Sequence, residues 1–194
     1  MRLLLVCLTV VLALPAGAQP FGPSNTEGLF LHAALDAQGV DLDDDAEGAE
    51  AEGGGLALRV GYGFSPLFTL YGGVSGARVD GDRTGEYDWT AGEIGARFTF
   101  NRGRAFRPYL DVALRGIEAS ADDVDFEIRG GAIAVGGGIA YFVSPTVAID
   151  AALRVGGGEA DEVQLGSLSL DVSESDLEFG EARFSVGLTA YPFR

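Results

Sequence analysis

The sequence predicts an all-β fold: a closed, eight-stranded, antiparallel up-and-down transmembrane barrel preceded by a cleaved signal peptide. Three observations carry this expectation. Apolar and polar residues alternate with a period of two in eight separate segments, as in strands with one oily face. Acids and arginines recur on the opposite face, four residues apart in "GEIGARFTF", "YLDVALRG" and "AIDAALRV". The chain also holds 30 glycines, many inside those apolar segments, which argues against helices.

Residues 1–18 read as a signal peptide. Arg2 supplies the positive start, "LLLVCLTVVLAL" the apolar run, and Ala16, Gly17 and Ala18 the small-residue junction. Cleavage is expected after Ala18, leaving a short lead over 19–25 and one barrel domain over 26–194. The run is too short for a membrane anchor, and Cys7 lies too early for a lipidated cysteine. Removal of Cys7 leaves a mature chain with no thiol, so no disulfide framework is expected.

Charge excludes a whole class of partner. Every basic residue is an arginine, and the mature chain carries 12 of them against 29 acids. Nucleic acid needs a basic footprint, so no nucleic-acid partner is expected.

The first strand, in "GLFLHAALDA", sets Leu29, Leu31, Ala33 and Leu35 against Phe30, His32, Ala34 and Asp36. The second sets Leu56, Leu58, Val60, Tyr62 and Phe64 against Ala57, Arg59, Gly61 and Gly63. The third has Phe68, Leu70 and Val74 opposite Thr69, Tyr71 and Ser75, and the fourth Ile94, Ala96, Phe98 and Phe100 opposite Glu93, Gly95, Arg97 and Thr99. In the fifth, Leu110, Val112 and Leu114 oppose Asp111, Ala113 and Arg115; in the sixth, Ile133, Val135, Ile139, Tyr141 and Val143 oppose small residues from Ala132 to Ala140. The seventh places Val147, Ile149, Ala151 and Leu153 opposite Asp150 and Arg154. The eighth places Phe184, Val186, Leu188 and Ala190 opposite Arg183, Ser185, Gly187 and Thr189.

Connections alternate in length. Short turns are expected at Ser65-Pro66, at 101–108 with Pro108 before the fifth strand, and at Ser144-Pro145. Longer polar segments are expected at roughly 37–53, 80–86, 119–128 and 157–177.

Residues four apart on a strand share a face. The charged face therefore belongs to several strands at once, and it is otherwise rich in Gly, Ala, Ser and Thr rather than the dense charge of a soluble surface. The apolar faces run for the 9–11 residues a tilted membrane strand needs. Tyr62, Phe64, Phe98, Phe100, Tyr141, Tyr191 and Phe193 gather near the turn end like an interfacial girdle. These features favour oily residues outward to lipid and charges inward. Lipid cannot satisfy an open sheet edge, so the barrel must close. Arg59, Glu93, Arg97, Asp111, Arg115, Asp150, Arg154, Glu181 and Arg183 are then expected to form a buried ionic network. A helix over the uncharged residues 130–149 is the competing reading, but Gly136-Gly137-Gly138 and Ser144-Pro145 break it.

With these residues in view, the chain resembles the small eight-stranded opacity-type outer-membrane β-barrels of Gram-negative bacteria. The resemblance rests on the signal peptide, the glycine-rich alternating strands, the Ser-Pro turns and the ending "FSVGLTAYPFR". It covers nearly all of 26–194. It implies insertion from the periplasm by the barrel-assembly machinery, contact with outer-membrane lipid and lipopolysaccharide, short turns inward and acidic loops outward. Members end on an aromatic residue; here Phe193 is penultimate and Arg194 follows.

No cofactor is expected. Asp41, Asp43, Asp45 and Glu52 match positions 1, 3, 5 and 12 of a calcium-loop pattern, but Ala46 stands where the turn glycine belongs. A solvated loop that weakly gathers divalent cations fits better, as do "DVDFE" and "EADEVQ" as exterior surface. His32 points inward by parity, and nothing in the spacing assembles it with Ser75, Ser185 and Asp36. The "GGG" triplets lack the strand–loop–helix setting and the lysine of a phosphate loop. The expectation is a non-enzymatic envelope protein with an unidentified loop ligand, serving adhesion or cation gathering. Two alternatives stand beside it: a lipid-modifying barrel enzyme of the lipid A deacylase kind using His32, and a soluble lipocalin-like carrier.

Overall fold

The computed structural model describes residues 24–42, 49–81, 85–121, 126–165, 168–171 and 178–192. The alternating segments fold as nine strands: β1 (Gly28–Leu42), β2 (Ala49–Ser65), β3 (Phe68–Gly81), β4 (Gly85–Thr99), β5 (Phe106–Ala121), β6 (Phe126–Phe142), β7 (Val147–Leu165), β8 (Leu168–Asp171) and β9 (Glu178–Ala190). Each strand from β1 to β7 pairs antiparallel with the next, β7 also pairs with β9, and β9 returns to β1. Eight strands thus form a closed wall, and β8 is a short hairpin partner of β7 outside it.

The register fixes the shape of the wall. Paired residues lead from His32 through Arg59, Gly73, Glu93, Arg115, Ala132, Gly158 and Phe179 back to β1 at Leu42. The return point lies ten residues from the start (42 − 32 = 10). For eight strands that stagger corresponds to a tilt of roughly 40°.

Polarity is inverted. Ile94 is 73% exposed and Leu35 68%, whereas Arg97 and Asp150 are each 1% exposed. Outward Leu, Val, Ile and Phe side chains form a belt around all eight wall strands, the surface that hydrocarbon covers. At the turn end an aromatic row runs along the outside from Tyr62 to Phe64, Phe68 and Phe98, with centroids 5.2–6.2 Å apart. Tyr191, expected in that girdle, instead points inward and is buried. It lies one residue beyond β9 and keeps the odd-numbered parity of the inward Arg183 and Thr189, so parity overrides nearness to the strand end. Phe193 lies outside the described residues.

Two further expectations are corrected. The strands run on where polar loops were expected: β1 and β2 stay paired to Leu42 and Ala49, and β7 continues to Leu165 before turning back as β8. Beyond the lipid the outward face need not be apolar, so the oily-outward alternation fades while the hydrogen-bonded ladder continues. Pro108 sits within β5, where its carbonyl accepts from the Phe100 N–H at 2.8 Å; Arg107 Nε, at 3.1 Å, gives the Phe100 carbonyl the bond that proline cannot return.

The short turns are built by serine. Ser65 Oγ accepts from the N–H groups of Leu67 and Phe68 at 3.3 and 3.1 Å, and Ser144 Oγ accepts from those of Thr146 and Val147 at 3.3 and 3.0 Å. The β4–β5 turn uses left-handed backbone at Asn101 (φ 53°) and Gly103 (φ 73°).

The interior is stacked in layers. Phe30, Tyr71, Tyr109, Phe142 and Tyr191 fill the turn end. Val40, Val79, Trp89, Ile117 and Phe179 fill the opposite, ribbon end. The buried charged side chains, Arg107 apart, lie between these two apolar plugs. Nitroxide labels at Ile94 and Leu153 of the protein in lipid vesicles should collide with oxygen far more than with a water-soluble nickel chelate. The reverse ranking would contradict an outward apolar belt.

Candidate functional site

Between the plugs, five arginines meet five carboxylates among the described residues: Arg59, Arg97, Arg115, Arg154 and Arg183 against Asp36, Glu93, Asp111, Asp150 and Glu181. They fall into two groups. Near the turn end, Arg154 grips Asp111 in a two-point contact, Nε to Oδ1 and an Nη to Oδ2, both 2.7 Å. Arg97 bridges Asp111 and Asp150 at 3.3 Å each. Its guanidinium also lies 3.7 Å from the centre of the Tyr109 ring. Tyr109 donates its hydroxyl to Asp150 at 2.6 Å.

Toward the ribbon end a longer chain alternates in sign. Arg59 pairs with Glu93, Glu93 with Arg115 at 3.7 Å, and Arg115 with Glu181. Glu181 pairs with Arg183 at 3.6 Å, and Arg183 with Asp36 at 3.5 Å. Ser75 accepts from both Arg115 and Arg183 at 3.3 Å. One group holds two charges of each sign and the other three of each, so both are formally neutral. That balance is what burial demands, because an unpaired charge here would forfeit its hydration with nothing in return.

All nine residues expected in the network lie in this layer, but not in the pairs the spacing suggests. Glu93 does not pair with Arg97, Asp111 with Arg115, or Asp150 with Arg154. Four residues of extended strand span about 13 Å, too far for an ion pair. Each arginine reaches another strand instead. Asp36 joins the layer through Arg183, a partner that adjacent sequence does not reveal.

Glycine makes room for these long side chains. A Cβ at Gly73 or Gly136 would strike the stem of Arg59 or Arg154, and one at Gly95 or Gly138 would strike the ring of Tyr71 or Tyr109. Outward glycines differ: around Gly39, Gly92, Gly116 and Gly131 the space is open.

His32 is buried, and its Nδ1 lies 2.9 Å from Thr189 Oγ1. Thr189 in turn donates to Asp150 at 3.5 Å. Neither Ser75 nor Ser185 contacts the ring, and the carboxylate orients the hydroxyl rather than the imidazole, so no nucleophile–base–acid order is built. Of the calcium-pattern residues, Asp43 and Asp45 lie outside the described residues. Asp41 and Glu52 sit on paired strands, opposite Glu50 and Gly39, and the Glu52 side chain is exposed. No group of three or more His, Cys, Asp or Glu that could hold a metal occurs among the described residues.

Arg107 escaped the sequence reading. It is fully buried at the turn end, where it donates to the Phe100 carbonyl at 3.1 Å, to Thr26 Oγ1 at 3.1 Å and to the Pro66 carbonyl. Parity was the available signal: Arg107 shares the face of Tyr109, Asp111 and Arg115.

A family model described as outer membrane protein beta-barrel domain matches residues 3–189. No curated protein sequence matches the chain. The fold is similar to the crystal structure of Neisserial surface protein A (17% identity, TM-score 0.57), covering 83% of this chain and 96% of that one. It is similar also to the outer membrane protein OprG from Pseudomonas aeruginosa (13% identity, TM-score 0.57), covering 86% and 97%. A third likeness is to the outer membrane protein AlkL in lipid bilayers (15% identity, TM-score 0.55), covering 91% and 93%.

The two kinds of ion pair should respond differently to mutation. Arg154→Ala leaves Arg97 alone against Asp111 and Asp150, one buried carboxylate in excess, and should lower stability by roughly 3–5 kcal/mol. Arg129→Ala removes exposed pairs with Glu118 and Glu127 and should cost about 0–1 kcal/mol. Urea unfolding of both variants in detergent checks this ranking.

Proposed function

Because this chain belongs to the outer membrane protein β-barrel domain family and lies in the Gram-negative outer membrane, we propose that it is a non-enzymatic envelope protein. Its barrel stabilises the membrane, and its ribbon end presents acidic surface to the exterior. The observation that carries this reading is the filled lumen. Two apolar plugs enclose two neutral ionic groups, which leaves little room for a solute path. The activity then falls to what the barrel displays.

What it displays is acidic. Glu52, Asp80, Glu118 and Glu159 are exposed at the ribbon end, and the segments "DLDDDAEGAEAE" and "EADE" add more carboxylates. The exposed pairs Arg78–Asp88, at 3.3 Å, and Arg129–Glu118, at 3.5 Å, offset only part of that charge. Such a surface gathers divalent cations, which can bridge to the phosphates of neighbouring lipopolysaccharide. Insertion proceeds through the barrel-assembly machinery, with the short turns left on the periplasmic side.

A lipid-modifying enzyme finds less support. His32, Thr189 and Asp150 are 4%, 1% and 1% exposed and sit between the plugs, out of reach of a lipid ester. A soluble carrier of the lipocalin kind would keep its apolar face inside, the reverse of the belt here.

Calorimetric titration of the folded barrel with calcium should release or absorb heat at millimolar ion. The signal should shrink when Asp41, Asp43 and Asp45 are replaced by Asn; a flat titration overturns cation gathering. In planar bilayers the barrel should give no steady conductance steps, and reproducible open steps would contradict a sealed lumen.

A further inference from the structure

The residues just before β1 do more than lead into it. Ser24 donates its hydroxyl to the Arg104 carbonyl at 2.6 Å, in the β4–β5 turn. The Asn25 N–H donates to the Pro145 carbonyl at 2.9 Å, in the β6–β7 turn. Thr26 donates its hydroxyl to the Pro66 carbonyl at 2.9 Å, in the β2–β3 turn. Three consecutive residues therefore hold all three short turns, one each. Those turns are far apart in sequence and meet only when the wall has closed. Ser24 and Thr26 are buried, although both precede the first strand.

Two wall residues fit this segment. Arg107 reaches up from β5 and donates to Thr26 Oγ1 and to the Pro66 carbonyl, so it clamps the segment onto the β2–β3 turn. Gly63 on β2 faces the segment from the other side. A Cβ there would overlap the Thr26 carbonyl oxygen, with the Thr26 carbonyl carbon at 2.9 Å and the Glu27 Cα at 3.2 Å. Gly63 adopts no left-handed backbone, so what excludes a side chain is the space the segment occupies. Directly beneath lie Phe30, Phe142 and Tyr191 of the turn-end plug.

We propose that Ser24–Glu27 is a clasp that closes the turn-end mouth of the barrel. It docks only once the β2–β3, β4–β5 and β6–β7 turns have converged. Docked, it bars water from the aromatic plug and slows the opening of the wall. Thr26, Arg107 and Gly63 are its seat. The barrel strands do not need it to pair, since none of its bonds belongs to the sheet ladders. Its loss should therefore leave the fold intact and change the rate at which the fold opens.

The mature chain predicted from the sequence has no cysteine, which makes a reporter clean. Ala148→Cys places a thiol in the turn-end plug, at a position that is 0% exposed. In the otherwise unaltered full barrel, this thiol should react slowly with a water-soluble maleimide. Gly63→Ala should expel the clasp, and Thr26→Val should remove its hydroxyl bonds while keeping its shape. Each should raise labelling and the rate of unfolding in hot detergent, by at least tenfold for Gly63→Ala and several-fold for Thr26→Val. Both variants should still migrate as a compact barrel on unheated gels. If Gly63→Ala fails to fold, Thr26→Val decides alone. Labelling and unfolding at reference rates in a folded variant would overturn the clasp.

Discussion

The structure depends on one constraint: charge inside a lipid-wrapped cylinder must be neutralised by side chains, because neither hydrocarbon nor bulk water can do it. In a soluble domain the hydrophobic effect gathers the interior. Here the oily side chains face lipid, and the interior is held by alternating arginines and carboxylates capped with aromatic layers. Breaking one partner leaves the other uncompensated, so the layer is cooperative in a way that a surface salt bridge is not. Neutrality of each group separately, two against two and three against three, is the condition that makes such burial tolerable.

The wall geometry decides who meets whom. Eight strands staggered by ten residues bring Asp150 of β7 to Arg97 of β4, and Glu181 of β9 to Arg115 of β5, across the lumen rather than along the ladder. Long side chains can cross only where the facing position is small. The inward glycines at Gly73, Gly95, Gly136 and Gly138 serve that purpose, and each would collide with an arginine or tyrosine if it carried a Cβ. Glycine content, sheet stagger and ionic pairing are therefore one design, argued from space rather than from backbone flexibility.

Much of this was legible in the sequence, because a period of two assigns every residue to a face without knowledge of its neighbours. That rule placed Arg59, Arg97, Asp111, Arg154 and Arg183 inside and Leu58, Ile94 and Leu153 outside. It would also have placed Tyr191 and Arg107 inside; proximity to a strand end misassigned the first, and a late start for the fifth strand hid the second. Pairing was not legible, since Arg154 chooses Asp111 over Asp150 through barrel stagger alone. The ribbons beyond the belt were hidden for another reason: past the belt the outward face carries acids such as Glu52, Asp80, Glu118 and Glu159, so the apolar-outward alternation stops while the strands continue. The clasp at Ser24–Glu27 is likewise a meeting of turns distant in sequence.

On the proposed reading the lumen serves stability, the exposed acids of the ribbon end serve display, and the proposed clasp ties the turn end. These roles presuppose that the interior ion pairs are strongly coupled. The most direct measurement is a double-mutant cycle between Asp111 and Arg154, using Asp111→Asn, Arg154→Gln and the double variant unfolded by urea in lipid vesicles. The account predicts a coupling energy of at least about 2 kcal/mol, within the range for residues sharing one network. A coupling below about 0.5 kcal/mol, the level of independent sites, would contradict it.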